Sequence, residues 1–129
     1  MYKGQRILSI TLFISLSFFC SVKKSITGIY SSFEYSNNSG DIIGMEAYIV
    51  PNPNGFSIII QASEGAPAFP EIFNLLVSED LITFEIPNNS ACGLLPGIYS
   101  GIIEENSLYL KSPNKTMFYL KRGKSFWQD

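Results

Sequence analysis

The chain has 129 residues, with nine Lys and Arg against eleven Asp and Glu, no histidine and two cysteines. That length makes one domain, since domains typically run to about 100–150 residues. An apolar content of 46% excludes a disordered chain. The lack of histidine removes the usual base at neutral pH, the usual nucleophilic triad and most zinc sites. Two cysteines are too few for a disulfide-dense scaffold or a four-thiolate metal site. The composition therefore leads us to expect a non-enzyme without metal or cofactor.

The first element in chain order is a leader. Lys3 and Arg6 precede an uncharged run over 7–19, which Cys20 follows. A basic start and a short apolar stretch fit a secretory signal peptide, whereas a membrane span needs about 20 apolar residues. The expected division is a signal peptide over 1–22, with its cleavage site open, and a single domain over 23–129. Ser15-Leu16-Ser17 is the best small-x-small triplet for cleavage, although Phe18 and Phe19 follow it. Cys20 is the other candidate, as a lipidated N-terminal cysteine tethering the protein to a bacterial membrane. Export to a periplasm or beyond puts Cys92 in an oxidising place. It can pair with Cys20 only if Cys20 survives processing without lipid. Ser90, Ala91, Gly93 and Leu94 supply no base or cation to activate the Cys92 thiol, which reads as structural.

From Thr27 onward the apolar residues repeat with period two, the period of a half-buried strand. Eight segments follow, at about 27–36, 42–50, 56–63, 72–77, 81–86, 97–104, 107–111 and 116–122. Asn37-Asn38-Ser39-Gly40-Asp41 and Pro51-Asn52-Pro53-Asn54-Gly55 read as hairpin loops, Glu105-Asn106 and Ser112-Pro113-Asn114-Lys115 as tight turns. All seven prolines are expected in connections, where a missing amide donor breaks no ladder. Short connections make consecutive strands neighbours, so the fold expected is all-β, a single antiparallel meander of about eight strands. Such a sheet closes, or nearly closes, into a small β-barrel; a two-layer sandwich is the alternative. Gly28, Gly44, Gly97 and Gly101, inside strands, allow the tight coiling of closure and favour the barrel. Gly28-Ile29-Tyr30-Ser31 recurs as Gly97-Ile98-Tyr99-Ser100, a match too short to mark a duplication.

Charge is unevenly spread. No Lys or Arg occurs between Lys24 and Lys111, a stretch that holds ten of the acids; Lys111, Lys115, Lys121, Arg122 and Lys124 then follow closely. Nucleic-acid binding needs a basic footprint, which most of this chain lacks. An acidic body suits a cationic protein partner, or is simply a solvated surface beside a basic C-terminal hairpin. The basic cluster is too small to hold a membrane unaided, so membrane attachment would rest on a lipid at Cys20. Two prolines stiffen the 64–71 connection, so Phe69 could be presented as a binding anchor at little ordering cost, or could plug the barrel end. Gln61 and Glu64 could form a polar cluster at the barrel mouth. Glu64 and Glu71 flank one loop, but their spacing does not place them face to face as glycoside hydrolysis requires.

Certain features in order resemble a family of small exported bacterial β-rich proteins of unknown function. They are Gln61, Glu64-Gly65 with Pro67 and Pro70, Phe84 with Ile86-Pro87, Gly97-x-Tyr99-x-Gly101, Leu120-Lys121-Arg122, and Lys124-Ser125-Phe126-Trp127-Gln128. The resemblance implies export and a β fold, and carries no chemistry. Gly28-x-Tyr30 in the first strand also resembles the opening of lipocalin-like barrels, at the level of fold. The expected function is an exported, non-enzymatic binding module for another protein, of the inhibitor or immunity kind, with Gln61, Glu64, Phe69, Glu71 and Trp127 as binding residues. The alternative is a carrier holding a small apolar ligand inside the barrel.

Overall fold

The computed structural model describes residues 25–128; the expected signal segment, with Cys20, and Asp129 lie outside the described residues. The strands are β1 (Gly28–Ser31), β2 (Glu34–Tyr35), β3 (Ile42–Asn52), β4 (Gly55–Gly65), β5 (Glu71–Ser78), β6 (Leu81–Ile86), β7 (Gly97–Ile103), β8 (Ser107–Lys111) and β9 (Met117–Gly123). A short 3₁₀ turn, Phe126–Gln128, follows them. Consecutive strands from β3 to β9 pair antiparallel, and β1 closes the cylinder by pairing with both β3 and β9. The result is an eight-stranded antiparallel barrel with β2 as an additional short strand, so the sandwich alternative is excluded.

β2 continues β1 along β3 in the same register, with Ser31 opposite Glu46 and Glu34 opposite Ile43. The expected single strand over 27–36 is interrupted at Ser32 and Phe33, where a side chain takes over part of the ladder. Ser32 N still donates to the Met45 carbonyl at 2.8 Å, and Met45 N donates to Ser32 Oγ at 3.1 Å. Beside that interruption Gly44 has φ +109°, and any Cβ on it would run into the Ser32 carbonyl. Only glycine lets the two backbones meet there. Gly101 makes a second close approach, since a Cβ there would lie 2.8 Å from both the Tyr109 carbonyl and a Leu110 methyl.

One proline departs from expectation. β3 runs through Pro51 to Asn52, which leaves Pro53 and Asn54 as the turn before Gly55. Past Ile49, β1 no longer accompanies β3, so the missing amide of Pro51 faces no strand on that side.

Period two sorts the side chains into an inner and an outer set. Met45, Ala47 and Ile49 of β3 and Ile58 and Ile60 of β4 point in, as do Ile82, Phe84 and Ile86 of β6, Leu108 and Leu110 of β8, and Leu120 of β9. All are buried. Truncating one such side chain to alanine costs about 2–5 kcal/mol because a cavity is left behind. The interior is therefore occupied by the protein's own side chains, and open space is found toward the ends.

The two Gly-Ile-Tyr-Ser segments open β1 and β7 in the same way. Tyr30 donates its hydroxyl to the Ile26 carbonyl at 2.8 Å, and Tyr99 donates to the Leu95 carbonyl at 3.0 Å. Each ring is buried and each polar tip is satisfied by the chain four residues back. Burial pushes both phenol pKa values up; the Arg122 guanidinium, 5.6 Å from the Tyr30 ring centre, opposes the rise at Tyr30.

Candidate functional site

The β4–β5, β6–β7 and β8–β9 connections gather at one end of the barrel around an apolar cup of about 470 Å³. Its floor is Met45, Ala62 and Tyr99, and its walls include Ile43, Leu94 and Phe118. Among the described residues, Glu64 is the one charged side chain in its lining. Register explains the arrangement. Ile43 pairs with Glu64 and Met45 with Ala62, so all four share the inner face, and the last pair out meets solvent at the rim.

Two hydrogen-bonded sets hold the far wall. Ala62 N donates to the Cys92 carbonyl at 2.9 Å, which fastens the β6–β7 connection to β4 and sets Leu94 and Leu95 beside the cup. Glu71 holds the same connection from β5: Ser90 Oγ donates to its Oε2 at 2.5 Å and Ala91 N to its Oε1 at 3.0 Å. Those donors hold the Glu71 carboxyl below the usual carboxylate range, the Ser90 hydroxyl contributing most. On the opposite side Ser112 bonds to Asn114, and Thr116 N donates to Ser112 Oγ at 3.0 Å, shaping the polar part of the rim.

The expected binding residues occupy three separate places. Glu64 is in the cup. Phe69, in the β4–β5 connection, is 77% exposed, presented rather than plugging the end. Glu71 turns to the loop over 90–91 and not toward Glu64. Gln61 lies on the outer face, because three residues along a strand reverse the side, so the anticipated Gln61–Glu64 cluster does not form. Gln61 instead meets Trp127, whose indole N–H donates to Gln61 Oε1 at 3.0 Å, while Gln61 Nε2 donates to the Ala68 carbonyl at 2.8 Å. Cys92 is buried and has no disulfide partner among the described residues; a pairing with Cys20 falls outside them.

Sequence reasoning missed Glu46. It sits on the outer face opposite Gln61 and accepts from Ser125 Oγ at 2.6 Å and from Phe126 N at 2.8 Å. Phe126 and Trp127 then pack on Phe33, with ring centres 5.5 and 5.8 Å away. The Glu64–Pro70 connection and the Lys-Ser-Phe-Trp-Gln tail thus share one outer latch. A pair of adjacent polar residues on the outer face, Glu46 and Gln61, was the signal available for it.

No protein-family model matches the chain, and neither a curated protein nor a solved structure matches it.

Proposed function

We propose that this chain is an exported, non-enzymatic binding module that receives another protein at the open end of its barrel. The observation that carries the reading is the cup: apolar over most of its lining, open to solvent, with Glu64 as the single charge among the described residues that line it. Such a site suits a side chain with an aliphatic stem and a cationic head, a lysine or arginine, whose stem lies on Phe118 and Met45 and whose head reaches Glu64. Phe69 adds an exposed ring on the β4–β5 connection, of the sort that anchors protein contacts. The acidic body favours approach of a cationic partner and acts on the association rate more than on affinity.

The carrier alternative draws on the same cup. The cup opens to solvent, whereas small-molecule sites cover about 70–90% of their ligand, and the interior beneath is filled.

The test is affinity capture from periplasmic extract of the source organism with the immobilised chain, using wild type, Glu64→Lys and Phe69→Ala. Loss of a defined captured protein with Glu64→Lys, and its weakening with Phe69→Ala, is the expected result. Capture unchanged by both substitutions overturns the reading. Native mass spectrometry showing a co-purified small molecule, lost on filling the cup with Ala62→Phe, would instead favour the carrier.

A further inference from the structure

On the outer face of β6 to β9, away from the cup's lining, the sheet carries an in-register apolar row. Leu81 pairs with Ile102, Ile102 with Tyr109, and Tyr109 with Tyr119, one residue from each of four adjacent strands. Leu81, Ile102 and Tyr119 are exposed, and the two tyrosine rings lean together with centres 5.0 Å apart. Soluble proteins seldom leave such a contiguous row open to water without a use for it.

Charge divides across this row. Asp80, Glu85 and Glu104 lie at the ends of or on β6 and β7, whereas Lys111, Lys115 and Lys121 lie on β8, on β9 or in their connection. All six are exposed. The acidic half and the basic half stand side by side, with Ile102 and Tyr109 at the boundary.

We infer that this wall is the contact through which two copies of the chain pair. The argument is charge self-complementarity. In an isologous pair a two-fold axis lies in the interface. With the axis parallel to the strands and running between Ile102 and Tyr109, the left half of one wall covers the right half of the other. Ile102 then meets Tyr109 of the second copy at the centre, and Leu81 faces its Tyr119 across the flank where the two convex walls diverge. On the same flanks Asp80 faces Lys121 of the second copy, and Glu85 faces its Lys115, across the gap and not in contact. An axis across the strands would set acid on acid and lysine on lysine, which is repulsive. An anionic membrane would be attracted by the lysines and repelled by Asp80, Glu85 and Glu104 at the same contact, so a second copy is the better complement.

The selected axis has a consequence for the open ends. Rotation about a strand-parallel axis keeps the strand direction, so both cups face the same side of the pair. If the cup is the binding site proposed above, a partner with two contacts would be held by avidity and not by one cup alone. The pairing itself does not depend on that reading.

Sedimentation equilibrium of the full chain tests it by charge exchange. Asp80→Lys alone and Lys121→Glu alone should each weaken self-association by about tenfold, and the double variant should regain most of it, because the exchanged charges again face each other. Ile102→Arg, at an exposed position, should abolish pairing while circular dichroism shows the fold intact. A monomer at every concentration up to about 100 μM would overturn the inference, that being a weak limit for specific pairing. So would association that persists in Ile102→Arg, or single-variant losses that the double variant fails to restore. Co-sedimentation of a monomeric chain with phosphatidylglycerol vesicles, lost in Ile102→Arg, would assign the wall to lipid and overturn it too.

Discussion

Trp127 donates its indole N–H to Gln61 Oε1 at 3.0 Å, and the amide nitrogen of the same Gln61 donates to the Ala68 carbonyl at 2.8 Å. One side chain on the outer face of β4 therefore holds the C-terminal turn and the connection beside the cup. Two neutral hydrogen bonds of this kind are worth about 1 kcal/mol each.

Gln61→Ala should lower unfolding free energy by about 2 kcal/mol. It should also shift Trp127 emission to the red, a clean reading because the chain has one tryptophan. Gln61→Glu separates the two halves of the latch. The carboxylate still accepts from the indole but can no longer donate to Ala68, so emission should stay in place while the Ala68 connection loosens. Urea unfolding followed by fluorescence, with amide exchange over 66–70, checks both. Unchanged emission in Gln61→Ala would remove Gln61 as the tail's partner.

Strand periodicity made the fold legible. The inner residues Ile58, Ile60, Ile82, Phe84, Leu108 and Leu110 were all marked by alternation with polar or outer residues, and short turns implied neighbour pairing. Closure depends on contacts between β1 and β9, which are remote in sequence, and no local pattern encodes them. Glycines inside strands were the indirect sign: Gly44 sits where the Ser32 carbonyl leaves no room for a Cβ. The site was legible in part. Glu64 could be picked out by its loop, but its place in the cup follows from pairing with Ile43. The role of Glu46 needed Ser125 and Phe126 brought back across the outer wall, a tertiary fact. The repeated Gly-Ile-Tyr-Ser was visible as a string; its meaning, two tyrosines bonded to carbonyls four residues back, required the two strand openings to be seen.

Those tyrosines give a prediction about alkaline stability. Tyr99→Phe leaves the Leu95 carbonyl without its donor and should cost about 1 kcal/mol; Tyr30→Phe should do the same at Ile26. The folded pKa values are raised, chiefly by burial. The folded chain therefore holds its phenolic protons more tightly than the unfolded one. The resulting stability is whole below the ordinary phenol value of about 10 and is lost as pH rises through the raised folded values. Thermal melts of wild type should fall steeply in that alkaline window, and those of the double variant should fall less. Parallel alkaline limbs would show that neither hydroxyl is coupled to folding.

Glu71 acts at the other end of the pH scale. Its carboxylate accepts from Ser90 and Ala91 and is held below the usual carboxylate range by those two donors. A depressed folded value means that the unfolded chain takes up the proton first as pH falls. The contribution of ionised Glu71 is complete above the ordinary glutamate value of about 4.3 and is lost as pH drops through the lower folded value. Glu71→Gln keeps the shape but weakens acceptance by removing the charge. It should therefore loosen the β6–β7 connection at neutral pH and flatten the acid limb of the stability curve. The effect reaches the cup, because that connection carries Leu94 and Leu95 in its wall. Following the Ala91 and Leu94 amides by NMR from about pH 6 to pH 3, across the glutamate range, is the check. The wild-type amides should move together as Glu71 protonates, and those of Glu71→Gln should stay still. Movement of Leu94 in both proteins would mean that the wall is held by something other than Glu71.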